Sequence, residues 1–249
     1  MNNINFKKHN IEWTNEKISR FWDYCASNKD LFEDSVAKQN GEGIVKFVKK
    51  YIKKDGRNLD YGSGPGYLLD YLFQNNISCF ALDSSPDSLE NIKEKFKNNP
   101  LLKDVILSTS IPNKDIKTEN FDFVFFIETI EHVSPEFLKN TLEEMNRIVK
   151  PGGYILITTP NKENLEKKKV ICPECGCIFH RVQHMNSFSV EKLSNLMSSH
   201  GFERVFCKET IFTTGGIFNK VKYIINNFME QINFKKKFKP NLIYLGRKK

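Results

Sequence analysis

The segment 58–66 combines an acidic residue with three glycines at alternate positions. Asp60 is followed by Gly62, Gly64 and Gly66, which gives the spacing G-x-G-x-G. Glycines two residues apart let the backbone turn sharply and leave a surface without Cβ atoms, against which a ligand can lie. The dinucleotide spacing is G-x-G-x-x-G, which this segment lacks. The segment therefore favours S-adenosylmethionine (SAM) over NAD, with a plain tight turn as the alternative.

A second acidic residue, Asp83, follows 23 residues after Asp60 and ends the next apolar segment. A carboxylate at the end of a second strand can accept hydrogen bonds from both ribose hydroxyls of an adenosine ligand. The pair of acids around one glycine loop predicts an adenosine-containing ligand.

Two carboxylates and an imidazole follow a later apolar run. Glu128, Glu131 and His132 have the spacing E-x-x-E-H, and His184 precedes a predicted helix further on. Oxygen ligands suit a hard cation such as Mg²⁺, which lowers the pKa of a bound hydroxyl and makes it a better nucleophile. The alternative is a site without metal, in which a glutamate caps the next helix and Glu128, His132 or His184 acts as a general base.

Three cysteines and a histidine form another candidate metal site. Cys172, Cys175, Cys177 and His180 lie in the run C-P-E-C-G-C-I-F-H. In a C-P-x-C-G loop the proline and glycine bend the chain so that both thiolates meet one ion, usually zinc. We predict structural zinc on these four residues, with His184 as an alternative ligand and a loop of free thiols as the alternative without metal.

The elements that must position these residues alternate along the chain. Apolar runs predict strands at 58–61, 77–82, 105–107, 121–127, 154–159, 203–212 and 242–245. Ser85-Pro86 and Ser134-Pro135 are helix starts, because serine caps the helix and proline suits its first turn. The alternation predicts an α/β fold with a doubly wound, mostly parallel sheet.

In that order, the motifs resemble those of the class I SAM-dependent methyltransferases. Besides the glycine loop and Asp83, the matching segments are Phe121-Asp122, Glu131-His132-Val133 and Lys150–Gly153, and the resemblance covers about residues 40–211. The E-x-x-E-H motif is similar to the divalent-metal motif of ubiquinone-pathway and small-RNA 2′-O-methyltransferases. The cysteine loop resembles that of a bacterial branch associated with surface polysaccharides.

The resemblance implies a seven-stranded sheet of order 3-2-1-4-5-7-6 with the last strand antiparallel. It also implies a helical lid at 1–53 and a SAM domain at 54–249, with a zinc insertion at 167–185 and a basic helical insertion at 213–239. The residues that it places against SAM are Asp60, Tyr61, Gly62, Ser63, Gly64, Gly66, Asp83, Ser84, Ser110 and Glu128.

Composition sets the remaining bounds. The 249 residues carry a formal charge of +8 and six cysteines. The basic charge suits a sugar- or phosphate-containing acceptor, whereas abundant lysine and the lack of a recognised RNA-binding domain make nucleic acid a weaker alternative. Without a long apolar run or an apolar leader we expect a cytoplasmic protein, monomeric or homodimeric, with peripheral membrane contact left open.

Together these features predict a SAM-dependent methyltransferase that O-methylates a small sugar or glycoconjugate precursor, with metal assistance at Glu128–His132 left open. One alternative is an RNA 2′-O-methyltransferase. A second alternative is a SAM-binding or zinc-scaffolded interaction protein without catalysis.

Overall fold

The structure is a computed structural model that describes residues 6–28, 35–108, 110–212 and 239–249. Nearly all of the expected basic insertion at 213–239 lies outside the described residues. The helices are α1 (Asn15–Ser27), α2 (Val36–Val48), α3 (Tyr67–Gln74), α4 (Pro86–Lys95), α5 (Pro135–Ile148) and α6 (Val190–Ser199). The strands are β1 (His9–Asn10), β2 (Asn58–Tyr61), β3 (Cys79–Asp83), β4 (Leu102–Leu107), β5 (Phe121–Ile127), β6 (Val149–Pro160), β7 (Lys169–Ile171), β8 (Cys177–His180), β9 (Phe202–Thr210) and β10 (Asn241–Lys248).

The main sheet has seven strands in the order β4-β3-β2-β5-β6-β10-β9. The pairs from β4 to β6 are parallel, and β10 runs antiparallel to both β6 and β9. The predicted fold class and strand order are confirmed. Because parallel strands end at one edge, the loops after β2, β3 and β5 meet there, at the crevice where open α/β sheets bind ligands.

The centre of the sheet is covered on both faces. In β5 every residue except Asp122 is buried, as expected for an apolar central strand. Phe123 and Phe125 pack with α2 and α3 on one face, whereas Val124 and Phe126 pack with α5 and α6 on the other. The rigid centre thus fixes the position of the loop that begins at Glu128.

Asp122 lies at the opposite end of the same strand. It accepts hydrogen bonds from the Arg57 backbone N–H at 3.1 Å and from Lys150 at 2.7 Å, and it pairs with Lys53 at 3.1 Å. This part of the Phe121-Asp122 motif therefore anchors the amino end of β5, far from the ligand edge.

A small second sheet joins the two segments that frame the ligand edge. Its order is β1-β8-β7, with β1 parallel to β8 and β7 antiparallel to β8. β1 precedes α1, and the β7–β8 hairpin comes from the segment predicted as a zinc insertion. The pairing thus connects the N-terminal segment to that hairpin.

Candidate active site

The glycine loop connects β2 to α3 through left-handed backbone conformations that glycine adopts readily. Gly62, Gly64 and Gly66 have φ values of 77°, 50° and 79°, in the left-handed region. A Cβ placed on Gly64 would meet no heavy atom within 4 Å. The loop therefore leaves open space at Gly64 for a ligand to approach the backbone.

Asp83 is held in place by backbone donors. Its Oδ2 accepts the Gly64 N–H at 2.8 Å and its Oδ1 accepts the Ser85 N–H at 2.9 Å. Burial raises the pKa of the Asp83 carboxyl. Each oxygen keeps capacity for a further hydrogen bond, as recognition of a ribose diol requires.

Asp60 lies beneath the loop as a buried carboxyl that lacks one partner. It is 2% exposed, and its Oδ2 has no hydrogen-bond partner. Burial and, to a smaller extent, the charge of Asp83 raise the pKa of Asp60 to about 8. A buried carboxylate costs free energy unless it is paired, so the site fits a ligand that brings a cation, as the ammonium of SAM does.

The other residues predicted to contact SAM divide into two groups. Ser63 is buried with an unpartnered hydroxyl, and Ser84 is exposed. Tyr61 instead packs edge-on against Phe126, with ring centroids 5.5 Å apart. Ser110 is exposed and donates to the Pro112 carbonyl at 3.0 Å. Tyr61 therefore belongs to the core beneath the loop, and the Ser110 hydroxyl is engaged in a hydrogen bond with a nearby residue.

The E-x-x-E-H motif occupies the turn after β5. Glu128 has a φ of 47°, and its N–H donates to the Thr158 carbonyl at 3.0 Å. A left-handed conformation in a residue other than glycine marks strain of the kind found at functional sites. Burial raises the pKa of Glu128 to about 7. Burial and the charge of Glu128 together raise the pKa of Glu131 well above its usual range.

The segment 183–186 brings His184 to this motif. The N–H groups of Met185 and Asn186 both donate to the Glu131 carbonyl, at 2.8 and 3.1 Å. The rings of His132 and His184 lie 4.7 Å apart, and ligand atoms of Glu131, His132 and His184 all lie within 4.8 Å of one another. The structure thus assembles three of the four residues proposed for a divalent cation, with the Glu128 carboxyl beside Glu131.

The polar atoms of this group are buried without protein partners. Both Glu131 oxygens, one Glu128 oxygen and His132 Nδ1 have no hydrogen-bond partner among the described residues. Native proteins rarely leave such atoms unpaired, because each costs about 1–3 kcal/mol. The Glu131 carboxylate and two imidazoles around one point, with the Glu128 carboxyl beside them, fit a divalent cation.

A neighbouring group formed by Glu163, His180 and His184 was not predicted. The ligand atoms of these three residues also lie within 4.8 Å of one another. His184 Nδ1 forms a hydrogen bond with the Glu163 carboxylate, and Lys168 Nζ lies 2.5 Å from the same carboxylate. Although burial opposes ionisation, these two partners lower the pKa of Glu163 to about 2. Glu163 carried no motif that sequence reasoning could have recognised.

The position of His180 differs from the sequence expectation. Cys177 and His180 are three residues apart on β8, so their side chains leave opposite faces of the strand. The His180 ring stacks on His184 with centroids 4.8 Å apart, and its Nδ1 accepts the His184 N–H at 3.1 Å. The structure therefore places His180 in the buried group and not with the cysteines.

Comparison with known proteins identifies the fold and the family together. A family model described as a methyltransferase domain matches residues 32–205. The chain belongs to this methyltransferase family. It is 29% identical over 168 residues to a ubiquinone biosynthesis O-methyltransferase of Pelagibacter ubique, covering 65% of this chain and 68% of that protein. It is also 29% identical over 172 residues to an uncharacterised protein of Methanocaldococcus jannaschii, covering 69% of this chain and 66% of that one.

Solved structures of methyltransferases share the fold. The complex of the Haloferax volcanii Trm112 methyltransferase activator with a methyltransferase matches with a TM-score of 0.66 and 16% identity, over 91% of this chain and 97% of that one. A Burkholderia thailandensis 1,6-didemethyltoxoflavin-N1-methyltransferase with bound S-adenosylhomocysteine matches with a TM-score of 0.62 and 14% identity, over 97% and 93%. The chain is a SAM-dependent methyltransferase.

In this methyltransferase, helix α1 contacts both the residues beside Asp83 and those beside His132. Asp23 Oδ1 accepts the Ser85 hydroxyl at 3.0 Å beside Asp83. Trp22 Nε1 donates to the Gln183 side chain at 2.9 Å, and Gln183 Nε2 donates to the His132 carbonyl at 3.1 Å. Trp22 lies within the lid expected at 1–53, whereas fully buried Gln183 was missed because a single glutamine has no sequence signature.

The cysteines of the methyltransferase form a separate, partly exposed cluster. The Cys172 sulfur accepts backbone N–H groups of Glu174 and Cys175, and the Cys172 N–H donates to the Cys177 carbonyl at 2.8 Å. All six cysteines of the chain are free. The thiols of Cys172, Cys175 and Cys177 are close enough to affect one another electrostatically, and three thiols in one loop are the ligand type that zinc prefers.

Among the residues that the structure describes, no helix has both the length and the apolar character needed to cross a membrane.

Proposed function

We propose that this chain is an O-methyltransferase whose acceptor hydroxyl is held at Glu128, Glu131, His132 and His184 by a divalent cation. The observation that carries the proposal is the set of buried, unpartnered carboxylate and imidazole atoms at the carboxyl end of β5. The similarity to a ubiquinone biosynthesis O-methyltransferase supports oxygen as the acceptor atom. A bound Mg²⁺ or similar ion supplies charge that lowers the pKa of the acceptor hydroxyl.

The donor side of the reaction follows from the glycine loop. Asp60 would pair with the ammonium of SAM, Asp83 would accept the ribose hydroxyls, and the open backbone at Gly64 would contact the methionine part. In the transfer, the acceptor oxygen bonds to the methyl carbon as the carbon–sulfur bond breaks, and S-adenosylhomocysteine leaves. The enzyme contributes alignment and exclusion of water, which α1 provides through Trp22 and Asp23.

The proton of the acceptor hydroxyl needs a base near the reacting oxygen. The His184 side chain is 10% exposed and its Nδ1 is engaged by Glu163, so its Nε2 lone pair is for the cation in the metal-assisted mechanism and accepts this proton only in a mechanism without metal. Glu128, whose pKa burial raises to about 7, is the second candidate, since a base with a pKa near the working pH is the most effective.

We further propose a small, sugar-containing acceptor such as a glycoconjugate precursor, and structural zinc at Cys172, Cys175 and Cys177. The formal charge of +8 supports an anionic acceptor. The free cysteines support a reducing compartment, the cytoplasm, as the site of action. An RNA 2′-hydroxyl remains the second candidate acceptor, because the downstream histidine of the small-RNA enzymes has a counterpart in His184.

The test is a measurement of S-adenosylhomocysteine release with three acceptor classes: nucleotide sugars, catechols and short RNAs. Each is assayed with Mg²⁺, with Mn²⁺ and after EDTA treatment. We expect turnover on one hydroxyl acceptor that EDTA abolishes and Mg²⁺ or Mn²⁺ restores. Turnover unchanged by EDTA would refute the metal-assisted mechanism, and turnover on RNA alone would replace the sugar acceptor by the second candidate.

A further inference from the structure

The first inference concerns the ligand that completes the cysteine cluster. His9 in β1 is paired in register with Cys177 in β8, and Cys172 follows β7 directly opposite Cys177. Paired residues of neighbouring strands project on the same face of a sheet, and such strands lie about 4.8 Å apart. His9, Cys177 and Cys172 therefore form a row across the small sheet.

Gly176 allows the N-terminal segment to approach the cysteine loop so closely. It has a φ of 79°, and a Cβ on it would lie 2.6 Å from the Lys7 carbonyl oxygen. The Gly176 carbonyl accepts the His9 N–H at 3.1 Å. A side chain at position 176 would push His9 away from the cysteines. Glycine is therefore needed both for the turn of the cysteine loop and for its close contact with the N-terminal segment.

The tautomer of His9 suits metal binding. Its Nδ1 lies 2.8 Å from the Lys7 carbonyl, which can only accept a hydrogen bond. Nδ1 must therefore carry the proton, and Nε2 keeps a free lone pair. His180, the ligand expected from the sequence, faces the opposite side of β8.

We propose that His9 is the fourth ligand of a zinc site formed with Cys172, Cys175 and Cys177, an inference that rests on the proposed zinc. In the described residues these ligand atoms lie farther apart than those of the two buried groups. The ion would draw them together by rotation of partly exposed side chains. The site would also fix the start of α1, six residues after His9, and thereby the helix that carries Trp22 and Asp23.

The experiment measures zinc by mass spectrometry and X-ray absorption in the full-length protein. We expect one zinc with three sulfur ligands and one nitrogen ligand, and a zinc affinity at least about tenfold weaker in His9→Ala. Cys172→Ser should lose zinc, whereas His200→Gln, at the far end of α6, should retain wild-type affinity. Proteolysis within the N-terminal segment should accelerate in His9→Ala.

Zinc held by sulfur alone, or unchanged affinity in His9→Ala, would overturn the assignment of His9 and leave the zinc site intact. A protein purified in zinc-containing medium without bound zinc would overturn both.

A second inference comes from independent contacts around Glu163. Its carboxylate forms a hydrogen bond with His184 Nδ1 and an ion pair with Lys168 at 2.5 Å. It also lies 3.8 Å from His180 Nε2. Its side chain is 6% exposed. An ionised carboxylate only accepts, so His184 must donate from Nδ1 and keep its Nε2 lone pair.

The same contacts explain why this second group is not a further cation site. His180 Nδ1 accepts the His184 N–H, so the proton of neutral His180 is on Nε2, which faces Glu163. Lys168 already supplies a positive charge to the same carboxylate. Lys168 therefore neutralises Glu163, and the protonated Nε2 of His180, 3.8 Å away, offers no lone pair to an ion.

We infer that Glu163 is a positioning residue that fixes the Nδ1–H tautomer of His184 and directs its Nε2 lone pair towards Glu131 and His132. Carboxylates that orient metal-bound histidines in this way contribute 10–100-fold to affinity, as a rough guide. The link to the cation rests on the proposed function, whereas the tautomer does not depend on it.

The experiment compares Glu163→Gln with Glu166→Gln, an exposed glutamate of the same loop. Nitrogen NMR of the metal-free protein should show His184 protonated at Nδ1 in the wild type and a mixture of tautomers in Glu163→Gln. Calorimetry should show Mn²⁺ affinity about tenfold weaker or more in Glu163→Gln, with Glu166→Gln unchanged.

An Nε2–H tautomer of His184 in the wild type would overturn the inference, as would identical spectra of the two variants. If the wild type shows the expected tautomer but binds no Mn²⁺, the positioning role of Glu163 is supported and the metal-assisted mechanism is refuted.

Discussion

The donor and acceptor halves of this active site are built in different ways. The proposed donor half, from Asp60 to Asp83, is local in sequence, and backbone N–H groups orient the Asp83 carboxylate. The acceptor half joins Glu128–His132 with Glu163 and His184, and several of its buried polar atoms lack protein partners. A backbone-built site recognises an invariant cosubstrate, whereas convergent side chains leave room for an acceptor that differs between enzymes.

The first way to test this comparison is to remove one acceptor-side charge. Glu131→Gln should lower kcat by about 1000-fold, in the range of acid–base and metal effects, and leave SAM affinity within about twofold. Stopped-time assays and calorimetry measure the two quantities, with Glu136→Gln on the exposed start of α5 as the matched control. Equal losses of SAM affinity and turnover would show that the halves are not separate.

The second test fills the open space on the donor side. Gly64→Asp should weaken SAM binding about 100-fold, or about 2.7 kcal/mol, because a carboxylate would occupy that space beside Asp83. The positive φ of Gly64 is tolerated by aspartate, so the thermal stability of the SAM-free protein should change little. Gly64→Ala should give a smaller loss, and wild-type affinity in Gly64→Asp would contradict the assignment of the loop.

The third test uses the pH dependence of Asp60. Because the folded state raises its pKa from 3.8 to about 8, its contribution to stability is complete below about pH 4 and is lost as the pH rises through 8. Asp60→Asn should therefore raise the Tm of the SAM-free protein by roughly 5 °C at pH 8, with a clearly smaller gain at pH 5, and should weaken SAM binding. Scanning fluorimetry at both pH values measures this, and a Tm gain independent of pH would contradict it.

The smallest expected effect concerns the helix that bridges the halves. Trp22→Phe removes the bond to Gln183 Oε1 and should cost about 1–2 kcal/mol of unfolding free energy. The same change should raise KM for the acceptor about threefold, because α1 would hold Gln183 and His132 less firmly. Denaturant unfolding and steady-state kinetics measure the two effects, with Tyr24→Phe as a control on the exposed face. A larger change in KM for SAM than for the acceptor would assign α1 to the donor half.

The two halves also differ in how far they could be predicted. The strands, the glycine loop and Asp83 follow from short-range patterns, since periodicity and glycine spacing act within a few residues, whereas the strand order was implied by the family resemblance. His184 was predicted as a partner of Glu128–His132 by resemblance, and the structure places it there. Gln183, Glu163 and His9 were missed, because a lone glutamine, glutamate or histidine has no pattern that separates it from surface residues.

His180 shows how local spacing can mislead. Its position after three cysteines suggested a shared ion, but the strand conformation of β8 alternates side chains and turns His180 towards Glu163. By itself the sequence determined the α/β fold and the glycine loop between β2 and α3, because each depends on neighbours along the chain. Tertiary structure alone decided which distant side chains converge on the acceptor, because that depends on how loops far apart in sequence meet at one edge of the sheet.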